Sequence, residues 1–345
     1  MRDKKRVTIH DIARELSLTA STVSRALNDH PRISRETKAL VKAKATAMDY
    51  RPNHLASGLR KGRSSSIGVI VPRINRHFFG QAINGIEQVT FASGFNLLIC
   101  QSNETREKEA KNLIALQNSQ VDGLIISVSA ETKDARHLKE FARSDTPVVQ
   151  FDRVRFGING HKIINSDEAA AHELVNHLIE QGYQRIAHLG GPDFINIYEN
   201  RFHGFRSAVE AAGLSLREEW VYRNALTQER GRELAQHLFS REAAHRPDAV
   251  FAASDYAALG VLEVLQERNI KVPEEVGVAG YANEPFTTMI NPSLTTVEQF
   301  GEELGKTAAQ LLVEAIQHPK ASQITKKIEI QPRVIVRHST ARKKI

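Results

Sequence analysis

Two short amphipathic helices meeting at a tight polar turn open this chain, and no other stretch constrains its fold as strongly. The residues run Val7-Thr8-Ile9-His10-Asp11-Ile12-Ala13-Arg14-Glu15-Leu16, then Ser17-Leu18-Thr19-Ala20-Ser21-Thr22-Val23-Ser24-Arg25-Ala26-Leu27-Asn28. Ile9, Ile12, Ala13 and Leu16 fall at spacings of three and four and make one apolar face. Thr8 can cap the first helix by accepting from its free backbone N–H groups, with Asp11 in the first turn. Ser17-Leu18-Thr19 forms the turn, and Leu18 can plug the space between the helices. Thr19 or Ser21 caps the second helix, whose inner face is Val23, Ala26 and Leu27. Ala20, Ser21, Thr22, Ser24 and Arg25 are left pointing outward. A helix with small and hydroxyl side chains and one arginine fits deep in a DNA major groove. Helical pattern alone does not separate this from a hairpin that binds nothing, because two-helix pairs are common.

Charge separates the two readings. Residues 1–63 hold 15 Lys/Arg against 6 Asp/Glu, a net of +9, while the remainder holds 32 against 34, a net of −2. The excess positive charge is confined to the N-terminal piece, which is the footprint of a phosphate-binding module rather than of a generally basic protein. Ser34 starts a third helix that runs through Val41, Ala45 and Met48 towards Tyr50, and Tyr50-Arg51-Pro52-Asn53-His54-Leu55-Ala56-Ser57-Gly58-Leu59-Arg60 follows.

Four motifs in this order and spacing resemble the lactose-repressor (LacI) family of bacterial transcription regulators: Val7-Thr8-Ile9-x-Asp11-Ile12-Ala13, Thr22-Val23-Ser24-Arg25-Ala26-Leu27-Asn28, Tyr50-Arg51-Pro52-Asn53 and Ala56-x-x-Leu59. The resemblance extends over nearly the whole chain. It implies a helix-turn-helix DNA-binding domain over 1–52 and a hinge helix and linker over 53–64. An effector-binding and dimerisation domain follows over 65–341. DNA contacts are expected at Thr8, Thr19, Ala20, Ser21, Thr22, Ser24, Arg25, Asn28, Tyr50, Asn53, Ala56 and Leu59. Eight hinge residues with Gly58 cannot hold a helix alone in water, so 53–60 is expected to fold only when two copies pack in the minor groove. There Leu59 would wedge between base pairs, with Ala56 as its small neighbour. The partner is then double-stranded operator DNA, a pseudo-palindrome with a central CpG step, bound by a homodimer.

From Ile67 apolar strand candidates (67–71, 96–100, 123–128, 148–151, 186–189, 249–252, 276–280) alternate with helical stretches (80–93, 107–117, 169–181, 200–212, 229–238, 257–268). Apolar strands joined by helices indicate buried parallel sheets. The fold class is α/β: an all-α N-terminal domain plus two Rossmann-like parallel-sheet lobes, periplasmic-binding-protein-like by the same resemblance. Lobe 1 is expected at about 65–164 and 296–325, lobe 2 at about 165–295 and 326–341. The single cysteine, Cys100, excludes an internal disulfide and reads as a buried small hydrophobe. No signal peptide and no apolar run of about 20 residues is visible, so a soluble cytoplasmic protein with no membrane role is expected.

Open parallel sheets take ligands at the carboxyl ends of their strands. Matched to the family, the effector contacts there are Phe78, Phe79, Asn103, Asp152, Arg201, Leu226, Asp255, Asn283 and Gln299. The guanidinium of Arg201 can donate in a fork to vicinal hydroxyls or a carboxylate. Phe78 and Phe79 read equally well as core, and Asp152 as a strand-end cap. Two positions depart from the family. Ala282 stands where many members carry an acidic residue, and Leu226 where several carry a large aromatic. The missing carboxylate tilts the expected effector from a neutral sugar towards a sugar acid or a phosphorylated metabolite.

Catalytic motifs are missing: there is no G-x-G-x-x-G dinucleotide fingerprint, P-loop, H-E-x-x-H or G-x-S-x-G. No cofactor, metal or catalytic residue is expected. The sequence therefore reads as a repressor of carbohydrate or sugar-acid utilisation genes controlled by a small-molecule effector. A catabolite-control regulator governed by a partner protein, and a sugar-binding receptor or enzyme, are the alternatives. The short basic end after Arg337, without leucine heptads, points to a dimer and not a tetramer. Helix 80–93, with Ala82, Ile83, Ile86 and Val89, is placed nearest the dimer interface or else against the sheet.

Overall fold

The computed structural model describes residues 7–50, 64–143, 146–240, 242–319 and 324–342, and so excludes the expected hinge contacts Asn53, Ala56 and Leu59. It divides into two compact units, 1–64 and 65–345.

The first unit is three helices, α1 (Ile9–Glu15), α2 (Ala20–Leu27) and α3 (Arg35–Ala47). Each begins where a hydroxyl meets the free N–H groups of the first turn. At α1 the cap is reciprocal: the Thr8 amide donates to Asp11 Oδ2 at 2.9 Å and the Asp11 amide to Thr8 Oγ1 at 3.4 Å. Thr19, not Ser21, caps α2, accepting from the Thr22 amide at 3.1 Å. Ser34 caps α3. Ile12, Ala13, Val23, Ala26, Val41 and Ala45 form the core, and Leu16, Leu18, Leu27, Met48 and Tyr50 close around it.

The second unit holds two parallel sheets. Lobe 1 begins with β1 (Ser66–Val71), α4 (His77–Ala92), β2 (Asn96–Gln101), α5 (Arg106–Asn118), β3 (Gly123–Ile126), α6 (Arg136–Ala142), β4 (Val148–Phe151) and β5 (His161–Asn165). The chain then enters lobe 2 through α7 (Asp167–Glu180), β6 (Ile186–Leu189), α8 (Asn196–Ala211), β7 (Val221–Tyr222), α9 (Gln228–Leu238), β8 (Ala249–Ala252), α10 (Asp255–Glu267) and β9 (Gly277–Ala279). The last elements are β10 (Thr296–Glu298), α11 (Gly301–Gln317), β11 (Lys327–Ile330) and β12 (Arg333–Ile335). Sheet 1 has the order β11-β5-β4-β3-β1-β2 and sheet 2 the order β7-β6-β8-β9, while β10 and β12 pair antiparallel. Apolar clusters cover both faces of each sheet, α4 and α11 against α5 and α6 in lobe 1, α9 and α10 against α7 and α8 in lobe 2.

Three differences from the sequence reading matter. Strand β11 pairs with β5 of sheet 1 from Lys327 to Ile330, so the last crossing between lobes follows Ile330 and residues 327–330 belong to lobe 1. Helix α11, absent from the expected helices, packs across α4 so closely that a Cβ on Gly85 would lie 2.1 Å from the Glu302 carbonyl oxygen, and one on Gly305 2.1 Å from that of Ala82. This contact draws Ala82 and Ile86 into the lobe 1 core. Cys100 is only half-buried, because β2 is an edge strand.

Candidate DNA interface and effector cleft

In the helical unit the outward face of α2 carries the expected residue types. Ser21 and Arg25 are exposed, and Ala20, Thr22 and Ser24 are half-buried. The Thr19 hydroxyl is shared between Ser21 Oγ at 2.8 Å and Thr22 Oγ1 at 2.9 Å, so the three hydroxyls form one array at the helix N-terminus, where phosphate oxygens are favoured. Asn28 is held at the other end by donating Nδ2 to the Ser24 carbonyl at 2.7 Å. Thr8 is exposed at the start of α1, while Tyr50 packs against the three-helix core.

In the second unit the loops after the strands of both sheets meet around a cavity of about 420 Å³. Of the expected effector contacts, Phe78, Phe79, Asp152, Arg201, Leu226, Asp255 and Gln299 line it. Asn103 and Asn283 do not. Asn103 takes a left-handed turn conformation at φ 51° and accepts from Gln101. Asn283 is consumed by lobe 2, donating to Glu298 Oε2 at 2.7 Å and accepting from Arg337 at 2.8 Å.

Arg201 is fixed from three sides. Its Nε donates to Asp167 Oδ1 at 2.8 Å, one terminal nitrogen donates to the Ala253 carbonyl at 3.1 Å, and its guanidinium carbon stands 3.6 Å from the Tyr281 ring centre. The Tyr281 hydroxyl donates to the same Asp167 oxygen at 2.8 Å. Opposite, in lobe 1, Arg153 is 6% exposed and donates to Glu104 at 2.6 Å and to the Tyr198 hydroxyl at 3.1 Å. That second bond links the lobes. Phe78 and Phe79 meet edge to face at 5.2 Å and serve both readings, lining the cleft while belonging to the core. Leu226 adds an apolar wall with Ile197 and Tyr198.

Five arginines line this cleft (Arg73, Arg76, Arg153, Arg201 and Arg230) against four carboxyls, Glu104, Asp152, Asp255 and Glu284. Three of those carboxyls, Asp152, Asp255 and Glu284, are raised towards their neutral form by burial. Burial pushes Asp152 up to about 6, against the pull of Arg153, and nearby Asp167 adds to the rise. Burial likewise raises Asp255 to about 7, although Thr296 and the Glu284 amide both donate to it. Arg153 and Arg201 stay charged throughout.

A helical unit with an exposed capped helix, followed by two parallel-sheet lobes around a polar cleft, matches known proteins along its whole length. The profile of bacterial regulatory proteins of the lacI family covers residues 8–53, and that of the periplasmic binding protein-like domain covers 175–340. The catabolite control protein A of Priestia megaterium is 30% identical over 97% of this chain and 99% of its own. This chain belongs to the LacI family. The LacI-family ribose operon repressor of Halalkalibacterium halodurans is 31% identical over 96% of this chain and 97% of its own. The crystal structure of the lac repressor dimer bound to operator and the anti-inducer ONPF shares the fold at a TM-score of 0.85, 24% identity, over 97% of this chain and 99% of that one. Like its LacI-family relatives, the chain is a DNA-binding transcriptional regulator.

Several cleft residues escape sequence reasoning. Tyr198 sits one helical turn before Arg201 and is legible from that spacing once the helix is known. Arg73 and Arg76 occupy the polar loop after β1. Arg76 spans the lobes, its guanidinium carbon 3.8 Å from the Tyr256 ring centre. Asp167, which fixes Arg201, carries no local signal at all. Among the described residues no cluster suits a metal ion, and no helix is long and apolar enough to cross a membrane.

The raised Asp152 has a measurable consequence. An aspartate in an unfolded chain ionises near 4, so the folded protein holds the extra proton from about pH 4 to 6 and loses stability as pH rises through that window. Asp152→Asn has no such dependence, so its stability advantage over wild type should grow by about 2 kcal/mol between pH 4 and pH 8. His188, pushed down to about 3 by burial, titrates in the opposite sense but in both proteins, and cancels in the difference. Denaturant melts at the two pH values measure this; an advantage that shrinks with pH contradicts the assignment.

Proposed function

We propose that the protein is a homodimeric repressor of carbohydrate or sugar-acid utilisation genes. Its operator affinity is set by an anionic, hydroxyl-bearing effector, a sugar acid or sugar phosphate, held between the lobes. The observation that carries the effector class is the charge of the cleft: five arginines against four carboxyls, three of them buried and shifted towards neutrality. An anion regains in charge-assisted hydrogen bonds what it loses in hydration, and the Leu226 and Phe79 walls take the carbon face of a sugar. An effector acts on operator binding only through its different affinity for the two lobe arrangements.

The dimer is assigned to the open edge of sheet 1. Edge strand β2 exposes Ile99 at 44%, and the neighbouring helices expose Phe91 at 77% and Ile114 at 58%. Unpaired strand edges with apolar neighbours favour association, and a two-fold dimer reads a pseudo-palindromic site.

The test is calorimetry with gluconate, glucuronate and glucose 6-phosphate against glucose and ribose, followed by operator binding at saturation. An acid that binds and shifts operator affinity supports the reading. The relative named a ribose operon repressor makes a neutral pentose the competing effector; binding of ribose alone in the cleft overturns the anionic assignment, and binding of none overturns the effector reading.

A further inference from the structure

The arginines that line the cleft are not alike. Arg201 is paired with Asp167 at 2.8 Å, Arg153 with Glu104 at 2.6 Å, and Arg230 with Glu233 at 2.6 Å along its own helix, α9. Arg73 faces Glu104 at 3.9 Å. Arg76 is the exception: among the described residues its side chain makes no ion pair and no hydrogen bond. It stands at the start of α4 without capping the helix, and its guanidinium lies over the Tyr256 ring, 3.8 Å from the centre. Glu284 and Glu229 lie beyond ion-pair distance and feel its charge only across space.

That contact joins the lobes. Arg76 leaves lobe 1 between β1 and α4, while Tyr256 stands in the first turn of α10 in lobe 2 and is braced edge to face by Phe286 at 5.2 Å. Both partners of the contact are half-buried, so solvent screens it only in part. A ring face attracts the charge of a guanidinium but satisfies none of its N–H donors in the ring plane. A carboxylate or phosphate takes two of those donors in a fork and balances the charge as well, so an anion in the cleft outcompetes the ring. A sugar hydroxyl accepts a single bond and brings no charge. Arg153 and Arg201 can still donate to a ligand, but each already has its counter-charge. Arg230 is paired within lobe 2, so an anion held there alone alters nothing between the lobes.

We propose that Arg76 is the residue that selects an anionic effector and couples its arrival to the lobes, exchanging the Tyr256 ring for the anion and so breaking a contact between lobe 1 and lobe 2. This rests on the reading of the cleft as an anion site. The exchange supplies the differential affinity for two lobe arrangements that any effector needs. A neutral sugar of the same shape can fill the cleft without drawing Arg76 off the ring, so it occupies the site and leaves operator affinity unaltered.

The experiment uses the full chain with gluconate, glucuronate and glucose 6-phosphate, and ribose as the neutral probe. Calorimetry at two salt concentrations and operator binding are measured for wild type, Arg76→Gln and Tyr256→Leu, with denaturant melts to show that each variant folds. Arg76→Gln should weaken the anion at least about tenfold, flatten its salt dependence and leave any ribose binding unchanged. Tyr256→Leu should act in the opposite sense and tighten the anion about two- to fivefold, because the ring no longer competes for the guanidinium. It should also remove most of the anion's effect on operator affinity, since the contact to be broken is already gone. Failure of every anion to bind wild type overturns the anionic cleft and this role with it. Anion binding that Arg76→Gln leaves intact overturns the role of Arg76 alone, and so does an equal loss of anion and ribose. Weaker anion binding in Tyr256→Leu means that the ring presents Arg76 to the anion, which overturns the exchange.

Discussion

Replacing Arg201 with methionine should cost the effector about 2–3 kcal/mol of binding, roughly 30- to 150-fold in Kd, and should also destabilise the effector unit by about 3–5 kcal/mol. The two losses have different origins. Binding falls because a buried guanidinium lining the cleft no longer donates. Stability falls because Asp167, 1% exposed, is left as a buried carboxylate with only Tyr281 donating to it. The double variant Arg201→Met with Asp167→Asn separates them. Removing the stranded charge should restore most of the stability while leaving binding lost, since a buried ion pair replaced as a whole is far less costly than one half removed. Calorimetry with the acid that binds wild type, alongside denaturant melts, reads both quantities. Wild-type affinity in the double variant would mean that Arg201 only braces lobe 2.

Arg25→Ala should weaken operator binding by about 1–3 kcal/mol and relax the preference for guanine at one position in each half-site. The arginine is exposed near the end of α2, and the scaffold beneath it is independent of it, with Val23 and Ala26 fully buried. Selection from random duplexes with wild type and variant shows the loss of one guanine per half-site. A uniform weakening with unchanged base preference, together with a shallower dependence on salt, would instead make Arg25 a phosphate contact.

The helical unit was legible because its determinants are local. A hydroxyl three residues ahead of a free amide, and apolar residues at spacing three and four, specify each helix without help from the rest of the chain. Lobe strands were legible for a related reason: strands buried on both faces, such as Ile67 to Val71, are apolar without interruption. What the sequence hides is pairing across distance. Nothing near Lys327 says that its strand closes against Lys162 rather than joining lobe 2. The same holds in the cleft. Arg201 could be chosen from its helix, but Asn283 looked equally suitable until Arg337 and Glu298, contributed by other segments, claimed its amide. Helix α11 carried its signal openly, with Leu304, Ala308, Leu311, Leu312 and Ala315 at helical spacing, yet only the structure tells which sheet it covers.

The return of β11 to sheet 1 sets an order on biosynthesis. As the polypeptide leaves the ribosome, the helical unit has its apolar core built from residues 7–50 and can mature at once, whereas the first five strands of sheet 1 emerge with one face incompletely covered. Lobe 2 is inserted before α11 and β11 arrive, so the earlier-made lobe is completed later than most of the one translated after it. Until then Ile86, Ile125 and Val149 lack the helix that buries them, and the nascent chain carries an exposed apolar face through some 150 residues of elongation. A ribosome that stops short of Gly301 would release a molecule able to engage DNA phosphates through its finished headpiece while its sensory half is still open to aggregation.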